Sequence, residues 1–170
     1  MRNVVEDTDI YLVTGGAGFI GSHFVEHLVS QNRKVKVLDK LTYAGNMVNL
    51  QSLIDTNKVE FILGDICDAE IVSKALENVS VVVNFAAESH VDRSISNSST
   101  FLETNVIGVG TLLESCLVST RLKKFIQVST DEVYGSINEG TWDETCALKP
   151  NSPYSASKAS ADLIALSFYN

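Results

Sequence analysis

An α/β fold built on a doubly wound parallel sheet is what this sequence predicts, on three observations. Short apolar runs alternate with segments of helical periodicity along the chain, a glycine-rich turn follows the first run, and an aspartate closes the second. Ile10-Tyr11-Leu12-Val13 reads as strand 1, an apolar run ending at glycines, as buried strands do. Residues 19–31 place Phe19, Ile20, Phe24, Val25, Leu28 and Val29 at helical spacing. Val35–Leu38 reads as strand 2 and ends at Asp39, Val59–Leu63 as strand 3, Val79–Phe85 as strand 4, and Phe125–Val128 as strand 5. Helical segments are expected at about 47–55, 68–77, 100–119 and from about 153 to the carboxyl end. This order predicts right-handed crossovers and strand order 3-2-1-4-5, with a ligand crevice outside the carboxyl ends of strands 1 and 4.

With 170 residues, residues 1–170 read as one domain with a well-filled core. The apolar share of 45% and charged share of 20% are ordinary for a soluble protein. A net charge of −8 without a basic stripe argues against nucleic acid and anionic membranes as partners. No apolar run is long enough to span a bilayer, and the polar, acidic start from Met1 to Asp9 does not read as a signal peptide. Cys67, Cys116 and Cys146 have neither disulfide-frame nor metal-site spacing, so they read as free thiols in a reducing cytoplasm, and no metal is expected.

Thr14-Gly15-Gly16-Ala17-Gly18-Phe19-Ile20-Gly21 lies between strand 1 and its helix. Glycines there permit a tight turn and let a pyrophosphate reach the backbone, while the helix amino terminus favours its charge. Asp39 closes strand 2, where a carboxylate can accept ribose hydroxyls and repel a 2′-phosphate. Together these predict a Rossmann fold binding NAD rather than NADP, with Lys40 the one feature pointing the other way. Asp65 and Ile66 end strand 3; Asp65 reads equally as a contact to adenine or as a cap of the next helix. Phe85, Ala86 and Ala87 end strand 4 and allow close approach to the middle of the cofactor.

Tyr154 and Lys158, at i and i+4, share one helix face. The ammonium is expected to lower the phenol's pKa, and a phenolate near neutrality can take a proton from a sugar hydroxyl. Asp131 and Glu132, just after strand 5, add a second acid/base pair, more than a simple dehydrogenase needs.

These motifs, with Asp39-Lys40-Leu41-Thr42-Tyr43-Ala44-Gly45-Asn46, the run Phe85 to Ser94, Ser129 to Gly135 and Pro153 to Lys158, resemble the extended short-chain dehydrogenases, and within them the dTDP-glucose 4,6-dehydratases. The resemblance runs from about residue 10 to the last residue. Thr130-Asp131-Glu132 is its specific part, since the superfamily's epimerases usually carry small hydroxyl residues there. It implies that Tyr154 with Lys158 deprotonates the sugar's 4-hydroxyl while hydride passes from C4 to NAD. Glu132 would then remove the C5 proton as Asp131 protonates the departing 6-hydroxyl, and hydride would return to C6. Thr130 would hydrogen-bond the 4-oxygen, and Ser89 would lie near the sugar. Gly15, Gly18, Phe19, Ile20, Gly21, Asp39, Lys40, Thr42, Asp65, Ile66, Phe85, Ala86, Ala87, Thr104, Tyr154 and Lys158 would line the cofactor site, with Asn105 beside it. His90 reads as fixing its loop by hydrogen bonds, and Glu88, Asp92 and Arg93 as a structural charge network.

The family's chains continue beyond the length seen here, so a carboxyl-terminal substrate region is expected to be absent. Strand 5 would then form an edge. The resemblance also implies a nucleotide-sugar substrate, dTDP-glucose or UDP-glucose, and a homodimer through helices at 100–119 and 153–170. Two other functions fit less of the pattern: an epimerase or decarboxylase of the same superfamily, and a non-catalytic NAD-binding module.

Overall fold

The computed structural model describes residues 8–169, so most of the amino-terminal stretch read above as no signal peptide lies outside the described residues. Five strands form one parallel sheet: β1 (Ile10–Thr14), β2 (Lys34–Asp39), β3 (Val59–Leu63), β4 (Val81–Asn84) and β5 (Lys124–Gln127). Their order is β3-β2-β1-β4-β5, as the alternating pattern predicts. The helices are α1 (Phe19–Ser30), α2 (Gln51–Asp55), α3 (Ala69–Ala75), α4 (Val91–Ser96), α5 (Ser98–Leu102), α6 (Gly108–Leu117) and α7 (Pro153–Ser167).

Successive strand side chains point to opposite faces, so each face gains its own core. Leu12, Leu38 and Val82 pack with Val72 and Ala75 of α3 and Leu112 of α6. Val13, Val35 and Val37 face the other way, onto Val25 and Leu28 of α1 and onto Leu50. Burying each such Val or Leu contributes roughly 1.5–3 kcal/mol, so the central strands hold the sheet firmly. A smaller cluster of Val109, Leu113 and Ala161 joins α6 to α7. β5 has β4 as its one strand partner among the described residues.

Four local features depart from the periodicity reading. The 47–55 helix divides into a 3₁₀ turn, Met47–Asn49, capped by Asn46, and the short α2. Strand 4 is shorter than Val79–Phe85 because Ser80 and Phe85 pair only at its ends. The 100–119 helix starts earlier, at Ser98, and is interrupted by a π-helical turn, Glu103–Ile107. Helix α4 and a 3₁₀ turn at Asp131–Tyr134 add structure where loops were expected. Pro153 at the first position of α7 and a reciprocal Ser152–Ser155 capping box set that helix's start.

Candidate active site

At the carboxyl ends of the central strands lies a cleft of ≈ 510 Å³. Gly15, at φ 67°, turns the chain out of β1 where a side chain would be strained, and a Cβ there would sit 2.6 Å from the Ala86 nitrogen. A Cβ on Gly21 would sit 2.3 Å from the Gly15 oxygen, so helix and turn pack at backbone distance. A Cβ on Gly18 would meet only backbone oxygens, the nearer at 3.2 Å, and would project into the cleft. Gly18 also caps α1 without a side-chain acceptor, which leaves the first-turn amides facing the cleft, where Phe19 and Ile20 stand exposed. This is a cradle of glycine, amide and helix terminus that fits a dinucleotide's pyrophosphate.

Asp39 reaches the same turn. Its Oδ2 accepts from the Ala17 amide at 2.9 Å and its Oδ1 from the Leu41 amide at 2.8 Å, so the carboxylate pins the glycine turn to the loop that follows β2. Lys40 donates to Asp65 Oδ2 at 3.1 Å and to Thr104 at 3.3 Å. Asp65 also accepts the Cys67 amide at 3.0 Å. Burial pulls the Asp65 carboxyl up, but the Cys67 amide and the Lys40 ammonium outweigh it and hold the pKa below its ordinary value. The helix-cap alternative for Asp65 is corrected here: Asp68, not Asp65, caps α3, by accepting the Glu70 and Ile71 amides. Thr42, Ile66, Phe85, Ala86, Ala87 and Ser89 complete the lining, Ser89 exposed at its mouth.

The two sides of the cleft are fastened together. The Tyr43 hydroxyl donates to Glu88 at 3.2 Å, and the Arg93 guanidinium lies 4.0 Å from the Tyr43 ring centroid. Asn105 accepts from the Glu88 amide at 2.8 Å and donates to the Glu88 carbonyl at 2.9 Å and to Ser157 at 2.9 Å. The π-helical turn is what lets Thr104 and Asn105, neighbours in sequence, both be buried against the site. His90 was expected to fix this loop; instead its ring is exposed and makes no hydrogen bond among the described residues, because Asn105 already satisfies the loop's backbone. Beneath the cleft, Thr14, Asn84 and Gln127 form a side-chain ladder across β1, β4 and β5, with the Asn84–Gln127 step at 2.8 Å.

Tyr154 and Lys158 line the far end of the cleft. Lys158 is buried and donates to the Val128 carbonyl at 2.5 Å. Thr130 caps the 3₁₀ turn that carries Asp131 and Glu132, its hydroxyl accepting the Glu132 amide, and that turn packs against α7, which carries Tyr154. The phenol departs from the expected activation: its pKa is raised. Burial is the main cause, the charges of Glu132 and Asp131 add to it, and the Thr130 hydroxyl only partly offsets them. The Lys158 ammonium is directed at the Val128 carbonyl. Burial likewise lowers the pKa of Lys158, against an upward pull from Asp162. Asp131 and Thr130 face a second, wider groove of ≈ 1320 Å³ along β5 and α7. Tyr154 and Lys158 thus line the cleft, while Thr130 and Asp131 face the groove on its outer side.

Sequence reasoning did not single out Tyr43, Ser157 or Asp162. Tyr43 and Ser157 lie within quoted motifs and Asp162 just beyond one, but the importance of each arises from partners distant in sequence. Among the described residues no cluster of acids, histidines and cysteines converges to hold a metal, and no helix is long and apolar enough to cross a membrane.

The model of the family described as GDP-mannose 4,6 dehydratase matches residues 12–170. The chain belongs to this family. Among the family's curated proteins, a dTDP-glucose 4,6-dehydratase of Streptomyces niveus is 49% identical over 164 residues, 93% of this chain and 48% of that protein. The crystal structure of a Streptomyces venezuelae dTDP-glucose 4,6-dehydratase with NAD bound is 50% identical, with a TM-score of 0.90 over 94% of this chain and 51% of that one. A UDP-Glc/GlcNAc 4-epimerase from Campylobacter jejuni superposes with a TM-score of 0.87 at 30% identity. The chain spans about half the length of the curated relatives it matches.

Proposed function

We propose that this chain carries the cofactor-binding and acid/base machinery of a nucleotide-sugar 4,6-dehydratase acting on dTDP-glucose or UDP-glucose. The carrying observation is that Tyr154 and Lys158 line the end of a glycine-turn cleft while the turn bearing Thr130, Asp131 and Glu132 packs against the helix that carries them. NAD, when bound, supplies the acceptor and donor of hydride. Gly15, Gly18 and Gly21 admit its diphosphate with the α1 amides; Asp39 offers remaining lone pairs to the adenosine ribose and repels a 2′-phosphate. Lys40 does not favour NADP, because its ammonium is already held by Asp65. Lys158 would hold the nicotinamide ribose and Tyr154 would accept the proton of the 4-hydroxyl. Glu132 would take the C5 proton, Asp131 would protonate the leaving 6-hydroxyl, and Thr130 would polarise the 4-oxygen.

The same reading takes residues 1–170 as an NAD-binding domain bearing the acid/base residues, with the sugar nucleotide held elsewhere in a protein of its relatives' length. It includes a cytoplasmic homodimer: Ile95, Leu102 and Ile107, on α4 to the π-helical turn, are exposed apolar side chains suited to a helix-to-helix interface. The test is incubation with dTDP-glucose and with UDP-glucose, scored by the alkali-induced absorbance of a 4-keto product. The chain is assayed alone and supplemented with the carboxyl-terminal half of the Streptomyces niveus relative. Product from either sugar in the supplemented reaction is expected; none from both rejects the reading.

An epimerase is the second reading, supported by the superposition on the Campylobacter jejuni enzyme. The acid pair at Asp131 and Glu132 favours the dehydratase over it, and Glu132→Gln separates them, since an epimerase would keep its turnover. Tight NAD binding without turnover under any reconstitution would instead identify a non-catalytic module.

A further inference from the structure

Two consecutive residues beyond β5 are tied to α7: the Val128 carbonyl accepts from Lys158 at 2.5 Å, and the Ser129 hydroxyl donates to Asp162 Oδ2. Tyr154, Lys158 and Asp162 lie at i, i+4 and i+8, so they stack on one helix face. The proposed chemistry uses Tyr154 and Lys158 and leaves the Ser129–Asp162 tie unexplained. We propose that Asp162 is a positioning residue: through Ser129 it sets the register of the loop against α7, and it sets a carboxylate one helical turn from Lys158 on the same face.

The location supports this. Ser129 lines both the cofactor cleft and the groove along β5, whereas Asp162 lines only the groove. The pair therefore forms part of the partition between the two. Lys158 is buried, which disfavours its charge, and Asp162 is the one charge that acts on it in the opposite direction. The other charged groups on elements packed against α7 are Asp92 and Arg93 of α4, Glu103 and Glu114 before and within α6, and Lys124 of β5. Asp131 and Glu132, on the turn packed against α7, raise the pKa of Tyr154. The Asp162 carboxyl is itself drawn upward by burial, with the Ser129 hydrogen bond and the Lys158 charge opposing. Ser129 thus helps to keep Asp162 ionised, and Asp162 helps to keep Lys158 charged. The consequence for cofactor binding rests on the reading that Lys158 holds the nicotinamide ribose.

The test measures two quantities on the same chain. The Lys158 amine is titrated by NMR of carbon-13 at its Cε, assigned by its loss in Lys158→Met, and NAD affinity is measured by calorimetry across the same pH range. In Asp162→Asn the Lys158 midpoint should fall by about one pH unit, as loss of a neighbouring opposite charge produces. NAD affinity should then fade at a correspondingly lower pH. Ser129→Ala keeps the charge, so it should leave the midpoint in place and lower affinity about equally at every pH. A folded Asp162→Asn protein, verified by circular dichroism, with an unmoved midpoint overturns the proposal. A shifted midpoint in a chain that binds no NAD upholds the Asp162–Lys158 coupling and rejects the cofactor reading instead.

Discussion

The cofactor cleft and the flank beyond β5 share Ser129 as a boundary, yet they are built in opposite ways. Around the cleft, the charged and amide groups are held by internal partners: Asp39 on two amides, Asp65 on Lys40, Asn105 on Glu88. The flank is a broad groove with Ile126, Leu163, Leu166 and Tyr169 exposed, beside a strand paired on one side. The first region is organised by strands β1 to β4 and their own loops. The second presents its acids on an open surface. The cofactor cleft is thus pre-built within this chain, while the proposed sugar chemistry would depend on what lies against the outer face of Thr130 and Asp131.

The largest effect should come from overfilling the cradle. In Gly21→Val the first added carbon already lies 2.3 Å from the Gly15 oxygen, so NAD binding by calorimetry should vanish. Overpacking should also lower stability by roughly 1–3 kcal/mol in urea unfolding. Retained NAD affinity would break the contrast, because the cleft would then not be rigid.

Next comes Tyr154→Phe, which should reduce turnover of the supplemented enzyme by roughly 10²–10⁴-fold, the usual contribution of a positioned acid or base. The phenol's raised pKa fixes the sign of the pH dependence: the phenolate is scarce near neutrality, so wild-type turnover should climb as the medium becomes alkaline. The variant should lose that limb. The same shift affects folding. Its stabilising contribution is complete below the unfolded value of 10.0 and is lost as pH rises through the higher folded value.

Asn105→Ala should cost about 1–3 kcal/mol, because it strands a buried amide and carbonyl of Glu88. Chemical denaturation would check it. The smallest effect belongs to the flank. Leu163→Ser removes an exposed side chain and should alter stability by less than about 0.5 kcal/mol. A large loss there would mean the flank is a packed core rather than an open face.

Legibility divides along the same line. The strands, their order and the glycine turn could be read because each is a local pattern: an apolar run, a period, a turn residue. Asp39 was legible as a cleft residue, but its grip on the Ala17 and Leu41 amides was not. The π-helical turn escaped because Thr104 and Asn105 sit in an ordinary helical period; only their burial reveals the extra residue. The direction of the Tyr154 shift was misread for a related reason. Spacing places Lys158 on the right helix face, but only the fold shows that the ammonium goes to Val128 and that two acids press on the phenol. Ser129 and Asp162 meet across long sequence separation and leave no periodic trace.

Glu132→Gln, in the supplemented enzyme given dTDP-glucose, tests the convergence of acids and phenol most directly. Reduced nicotinamide should accumulate in the near-ultraviolet and persist, because oxidation at C4 proceeds while removal of the C5 proton stalls, and no 4-keto-6-deoxy sugar should form. Product at the wild-type rate, with no lasting absorbance, would contradict the account.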